Sequence, residues 1–482
     1  MRLKNAIFHP CRWIIIIILA ASTGGVMAEE GLQAGFLYDQ FDLTLAEGQR
    51  TEAVGPFFYS EKKDSECILA VPPLFSDYQN SATENSEFDF LYPLLTYEHY
   101  GHEWRWQFFE VLSFAGGQEP DEFNTHRFTL YPVYFQQRSL DTNLDYTAVI
   151  PFYGHLQHRL FRDRIFFVMF PIYGETQKKD VVTDNYFYPF VHVRHGDGLH
   201  GWQVWPFVGR EHKVVTTQTN GFGDVSTIGG HDHSFVLWPF WLSQDNGLGM
   251  ENPEKFRASL PAFVVTRSTN RDDTTVLWPF FSWIVEREKQ YHEWEGPWPF
   301  VIFTRGTGKT TSRVWPIFSQ SHNATMESDS YVWPIYRYKR LHSDPLDERS
   351  TRIAFYLYTG VTEKNTETGH EKLRRDMWPF FTWRRDFDGN TRLQVLAPIE
   401  SILASNRGIE RNWSPIWSLW RSENNPREGL ASQSLLWNLY RHETGRDQKK
   451  ISLLFGLFQY QRDGKNSRTR IFYIPVYRAH TK

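Results

Sequence analysis

The segment Arg305-Gly306-Thr307-Gly308-Lys309-Thr310-Thr311 carries the glycine, lysine and hydroxyl types that cradle phosphate in a P-loop. That motif needs a glycine five residues before Gly308, where Phe303 stands, and a helix after it, where a strand-like run follows. The segment reads as a hairpin turn. His231-Asp232-His233 offers two imidazoles at i, i+2, a spacing that could share a metal on a strand end. No third ligand has a compelling spacing, so the reading is a solvated polar loop. His192, His195 and His200 surround Gly196-Asp197-Gly198, and Asp-Gly is hairpin chemistry. No metal site and no cofactor are assigned. No Gly-x-Ser-x-Gly elbow is present, Cys67 has no partner motif, and most carboxylates sit near turns. No catalytic residue is assigned, and the chain is read as non-enzymatic. Trp383, Trp420 and Tyr460, near strand ends, are the aromatics best placed for a binding surface such as a glycan platform.

Around these residues runs a repeat. Its centre is an apolar run on Pro, best seen at Trp205-Pro206-Phe207, Trp238-Pro239-Phe240, Trp278-Pro279-Phe280, Trp298-Pro299-Phe300, Trp315-Pro316-Ile317, Trp333-Pro334-Ile335 and Trp378-Pro379-Phe380. Looser copies centre on Pro56, Pro73, Pro93, Pro132, Pro151, Pro171, Pro189, Pro261, Pro398, Pro415 and Pro475. From Pro132 the steps are 19, 20, 18 and 17 residues. Three units keep the register with Phe355, Asn438 or Gly456 at the centre. Pro, Asn and Gly all behave poorly in mid-strand, which suggests a bulge there that should tolerate proline at Asn438.

Turn formers such as Asn424-Asn425-Pro426, Thr444-Gly445 and Asp463-Gly464 separate apolar-centred segments of about 13 residues. Links this short force antiparallel neighbours. The expected fold is all-β: an up-and-down antiparallel meander of 20–22 strands, closed as a large barrel, with a soluble collapsed barrel or two-sheet body as the alternative. Residues 29–482 form one β-repeat domain, with a long Gly-rich insertion at 211–233. A tilted 13-residue strand would cross a bilayer. Against an ordinary outer-membrane barrel stand the mid-strand prolines and a centre apolar on both faces, as in Thr275–Val285.

Residues 1–28 read as a secretory signal: Arg2, Lys4 and Arg12, the apolar run Trp13–Ala21, then Val26-Met27-Ala28 before Glu29. Cys11 precedes the apolar run, so a lipoprotein is not expected. Loss of three cations takes the net charge from −4 to −7, which argues against a nucleic-acid partner. The expectation is an envelope protein at the outer membrane acting as pore, conduit or scaffold, partnered by outer-membrane lipid or another envelope protein. The alternative is a soluble exported protein, periplasmic or extracellular, that binds glycan or an envelope protein.

Overall fold

A computed structural model of the protein describes residues 35–109, 111–117, 125–139, 142–219 and 223–480. The signal sequence expected at 1–28 lies outside them. The described chain is all-β, with 45 strands, most of them six residues long, and only short helices. Of these strands 43 belong to antiparallel ladders, almost all between chain neighbours; the remaining two pair with each other.

Except at Pro398 and Pro415, in the interruption between Val395 and Trp420, and at Pro475, which lies in the strand Ile474–His480 beside a register irregularity at Thr469/Arg470, the Pro-centred run is not a strand interior. It is the loop of a hairpin. In the copy at Pro279, β26 (Arg271–Val276) and β27 (Phe281–Glu286) pair antiparallel, with Val276 opposite Phe281 and Thr275 opposite Ser282. Leu277-Trp278-Pro279-Phe280 is the connection, closed by the Phe280 N–H on the Leu277 carbonyl at 2.9 Å, and its Trp–Pro bond is cis. This is a turn with proline at its third position. The missing N–H of Pro279 therefore takes nothing from a ladder, and the bulge expected at this position does not form.

Nearly every 13-residue segment is two strands, so the expected 20–22 strands become 45; in Arg411–Glu423 helical turns take the place of the first strand. The run is apolar at successive positions because its residues project from the sheet edge, where no alternation between faces operates. Two six-residue strands, one apolar turn and one polar turn fill the step of about 19 residues. The closed barrel is not formed either: β1 (Asp39–Asp42) pairs with β2 (Gly48–Ala53) and β45 (Ile474–His480) with β44 (Asn466–Ile471), and no ladder joins the two ends among the described residues.

By compactness the chain divides into two units, residues 102–375 and residues 1–101 with 376–482. In the 102–375 unit, every second hairpin turn is apolar, so these turns share one edge of the meander; the turns between them line the other. The second set is polar, as at Lys179-Asp180, Asp197-Gly198 and Thr307-Gly308, with Leu160-Phe161 as an exception. Asp197 and Gly198 both have positive φ, as a two-residue hairpin loop requires.

Phe135, Tyr146, Ala148, Leu156 and Phe167 form the buried cluster of this unit. Residues 211–233 contribute their ends to β19 (Val208–Lys213) and β22 (Gly230–Val236), which pair directly, and their middle to the separate hairpin β20 (Thr216–Thr219) and β21 (Val225–Ile228).

The other unit brings its two chain segments together through polar groups. The Tyr59 hydroxyl donates to the Arg411 carbonyl at 3.0 Å, Thr44 bonds Ser432 at 2.6 Å, and Arg441 lies 3.4 Å over the Phe41 ring. Between Val395 and Trp420 the meander is interrupted by two helical turns, Arg407–Asn412 and Ser414–Trp417. Asn406 caps the first, accepting from the Ile409 N–H.

Candidate functional site

The apolar turns of the 102–375 unit make a continuous fringe. Backbone bonds run from turn to turn: Leu277 N–H to the Ala262 carbonyl at 2.8 Å, Trp298 N–H to Phe280 at 2.9 Å, Trp315 N–H to Phe300 at 2.7 Å and Trp333 N–H to Pro316 at 2.8 Å. These groups are thus satisfied without water, which lets the edge be apolar in backbone as well as side chain.

The rings follow the same ladder. Centroids of Phe190 and Trp205 are 5.9 Å apart, Trp205 and Trp238 5.7 Å, Phe300 and Trp315 5.6 Å, Trp315 and Trp333 5.6 Å. Their outer surfaces remain open: Trp238 is 46% exposed, Phe240 60% and Leu277 56%. A contiguous apolar row of this extent on a protein surface marks a contact with other apolar matter. No titratable group lies within the turns Leu237–Phe240, Leu277–Phe280 or Val332–Ile335.

Behind the fringe the strands carry the polar chemistry. His231-Asp232-His233 lies within β22, not in a loop as expected, so its side chains alternate between faces. Asp232 turns toward Arg210 and His212, at 3.7 and 3.9 Å. His231 and His233 share the other face, their rings stacked with centroids 4.4 Å apart. Glu211 of β19 stands opposite His233, and its Oε1 lies 2.8 Å from Nε2 of His231. Its other oxygen accepts from Arg194 at 2.6 Å. Gly201 makes room: a Cβ there would fall 2.9 Å from Cγ of Glu211.

Burial lowers the pKa of His231, against the Glu211 hydrogen bond that raises it. Burial would raise Glu211, but Arg194 and His231 bring it below the usual range. Sequence reasoning missed Glu211 because only the pairing of β19 with β22, across the insertion, makes it a neighbour.

The remaining expected positions disperse. Arg305–Thr311 spans the hairpin of β29 (Val301–Gly306) and β30 (Lys309–Val314), and Lys309 bonds Glu293 at 2.7 Å. His192 shares the Arg194 face of β17 (Val191–Gly196), while His195 takes the opposite face, 3.8 Å from Asp184. His200 stands opposite both His195 and His212 in the ladders. Cys67 is half-buried on β4 (Glu66–Val71). Trp383 and Trp420 are half-buried rather than exposed, Tyr460 is 38% exposed, and no ring contact joins the three among the described residues.

The unit formed by 1–101 and 376–482 contains a half-open cavity of about 440 Å³. Its charged lining repeats one local pattern, Arg-x-Glu, at Arg50/Glu52, Arg421/Glu423 and Arg441/Glu443; the first two pairs and Arg441 reach the cavity. Residues at i, i+2 of a strand share a face, and each Nε meets its carboxylate, at 2.7, 3.1 and 2.5 Å. Burial would raise Glu61, but Arg50 and Lys63 hold it down at about 2. Burial pushes the Tyr59 hydroxyl up to about 12. Arg421 is lowered by burial and by neighbouring Arg392. The cavity is a compensated ion network that joins two chain segments. The Arg-x-Glu spacing was its sequence signal.

No family model matches the chain, and no curated protein matches it.

Proposed function

We propose that the protein is a non-enzymatic scaffold of the cell envelope that lies on a membrane surface, at the outer membrane, with its apolar turn fringe in the lipid. The observation that carries this reading is the row of exposed Trp, Phe, Leu, Ile and Val side chains along one edge of the 102–375 unit, from Tyr131 to Leu357. Trp and Tyr favour the membrane interface, where an apolar body and a polar tip are both accommodated. A single lipid chain gives only marginal anchoring; a row of aromatic turns supplies many contacts at once. Six residues at about 3.3 Å each reach roughly 20 Å, short of the roughly 30 Å hydrocarbon core, which favours lying on the bilayer over spanning it.

The mature net charge of −7, after loss of the three leader cations from −4, gives no attraction to anionic lipid. Binding should therefore be apolar and insensitive to salt. The test is flotation of the mature chain with neutral phosphatidylcholine vesicles at low and high salt. Co-flotation at both, weakened at least fivefold by Trp238→Glu with Phe240→Glu and Leu277→Glu, supports the reading. A wild-type chain that stays at the bottom of the gradient overturns it.

A further inference from the structure

We propose that Glu211, His231 and His233 form a binding site for one divalent transition-metal ion of the zinc or copper class, fastening β19 to β22 at the base of the inserted hairpin. This goes beyond the membrane reading and does not depend on it.

One ligand atom from each of the three residues lies within 4.8 Å of the others, on one face of the paired strands. His231 Nε2 is 2.8 Å from Glu211 Oε1. His233 Nε2 is 2.6 Å from Oδ1 of Asn246 on β23 (Trp241–Leu248), which brings a second oxygen to the same place. Two imidazole nitrogens and a carboxylate oxygen are the donor set of a three-ligand zinc site, and the amide oxygen can take the fourth position. Imidazole donors select zinc, copper or nickel over magnesium or calcium, which favour oxygen alone.

Donor atoms around a tetrahedral ion at about 2.0 Å sit about 3.3 Å apart, so an entering ion needs only small outward rotations of these side chains. Arg194 holds Oε2 of Glu211 at 2.6 Å, which leaves Oε1 facing the imidazoles and fixes the carboxylate from behind. Nε2 of His231 and Nε2 of His233 each face an acceptor oxygen, so each carries a proton in this structure, and an entering ion displaces those protons or shifts them to Nδ1. Arg194 competes with the ion for the charge of Glu211, so an affinity in the micromolar range is expected.

The site has a mechanical consequence. β20 and β21 lie outside the sheet between β19 and β22, and a six-pair ladder closes the gap. A bound ion would lock the two strands at the end where the insertion departs, with Lys213 opposite His231.

The experiment is calorimetric titration of Zn2+ into the chelator-stripped mature chain, with Cu2+ electron paramagnetic resonance as a second readout. One equivalent of Zn2+ should bind at micromolar affinity. Binding should weaken at least tenfold in His231→Ala/His233→Ala, and the nitrogen hyperfine pattern of two imidazoles should vanish. His195→Ala/His212→Ala, on the opposite face, should bind as the wild type does. If the double variant fails to fold, Glu211→Gln, which keeps the side-chain volume, must still weaken Zn2+ at least tenfold. Less than a fifth of an equivalent bound by the wild type, or unchanged affinity in either cluster variant, overturns the proposal.

Discussion

Arg411 Nη2 lies 3.0 Å from Asp89 Oδ2, tying the helical turn Arg407–Asn412 to β6 (Asn85–Phe90) across 322 positions of sequence. Asp89 is fully buried and also accepts from Asn412 at 3.0 Å and Ser76 at 3.1 Å, while Arg411 reaches Glu87 as well. Removing one partner leaves the other charge buried without compensation, which costs about 3–5 kcal/mol. Arg411→Met should lower the urea midpoint accordingly. Arg411→Met combined with Asp89→Asn should cost less than the two single changes added together, because the stranded charge is gone. Additive losses would mean that the pair is not coupled.

The charged cavity predicts a pH dependence. Glu61 has a folded pKa of about 2 against an ordinary 4.5, so the native state releases this proton more readily than the unfolded chain. Its contribution is fully present above about pH 4.5 and is lost as the pH falls toward 2. At about 1.4 kcal/mol per unit the shift from 4.5 to about 2 is worth at most about 3.5 kcal/mol. Glu61→Gln should be less stable than the wild type at pH 7 and should show a flatter loss of stability between pH 5 and 3. Parallel acid limbs for the two proteins would place the pH sensitivity elsewhere.

What the sequence disclosed was composition and period; what it hid was direction. Turn formers such as Asp463-Gly464, the short links and the regular step from Pro132 announced an antiparallel meander, and the strands confirm it. The same Trp278-Pro279-Phe280 that announced the period disguised the reversal, because four apolar residues in a row look alike whether they cross a sheet or cap its edge. Phe355, Asn438 and Gly456 were legible as equivalents of Pro, but their shared property is a place in a turn, with φ of +62°, +68° and +90°. The Glu211–His231–His233 cluster needed the ladder between β19 and β22, and the cavity needed the approach of two segments more than 300 residues apart, as Tyr59 and Arg411 are. Neither kind of proximity is written in local spacing.

The buried cluster of the 102–375 unit depends on one missing side chain. Gly154 on β13 (Tyr153–Arg159) stands opposite Phe167 and Ala148, and a Cβ there would fall 2.2 Å from the Phe167 ring and 2.7 Å from the Ala148 methyl. Phe167 and Ala148 are themselves buried, at 5% and 0% exposed, so neither can swing into solvent without opening the cluster. Gly154→Ala should cost about 1–3 kcal/mol by overpacking. Gly174→Ala, also in a strand but with its nearest neighbour at 3.7 Å, is the control and should change the denaturation midpoint little. Equal effects of the two would mean that the Phe167 ring relaxes freely.

Asn438 decides between the two readings of the repeat centre. A bulge would tolerate proline there. In the structure Asn438 sits in the turn between β40 (Leu430–Leu435) and β41 (Tyr440–Thr444), at φ +68°, whereas proline is locked near −65°. Leu436 and Trp437 are also at positive φ, unlike the Trp278-Pro279 turn, where only Leu277 is. Its amide donates to Glu52 Oε2 at 2.8 Å, and its oxygen accepts from Ser434 at 2.7 Å, so the side chain joins segments 386 positions apart. Asn438→Pro must therefore rebuild the turn and also strand a buried Glu52 oxygen, each worth about 1–3 kcal/mol. Asn438→Gly keeps the left-handed backbone and loses only the side-chain bonds. The expected order of urea midpoints is wild type, then Asn438→Gly, then Asn438→Pro, with the last separated from the second by about 1 kcal/mol or more. If proline is as stable as glycine at this position, the turn accepts either backbone and the hairpin account of the repeat fails at the copy where it can be tested most directly.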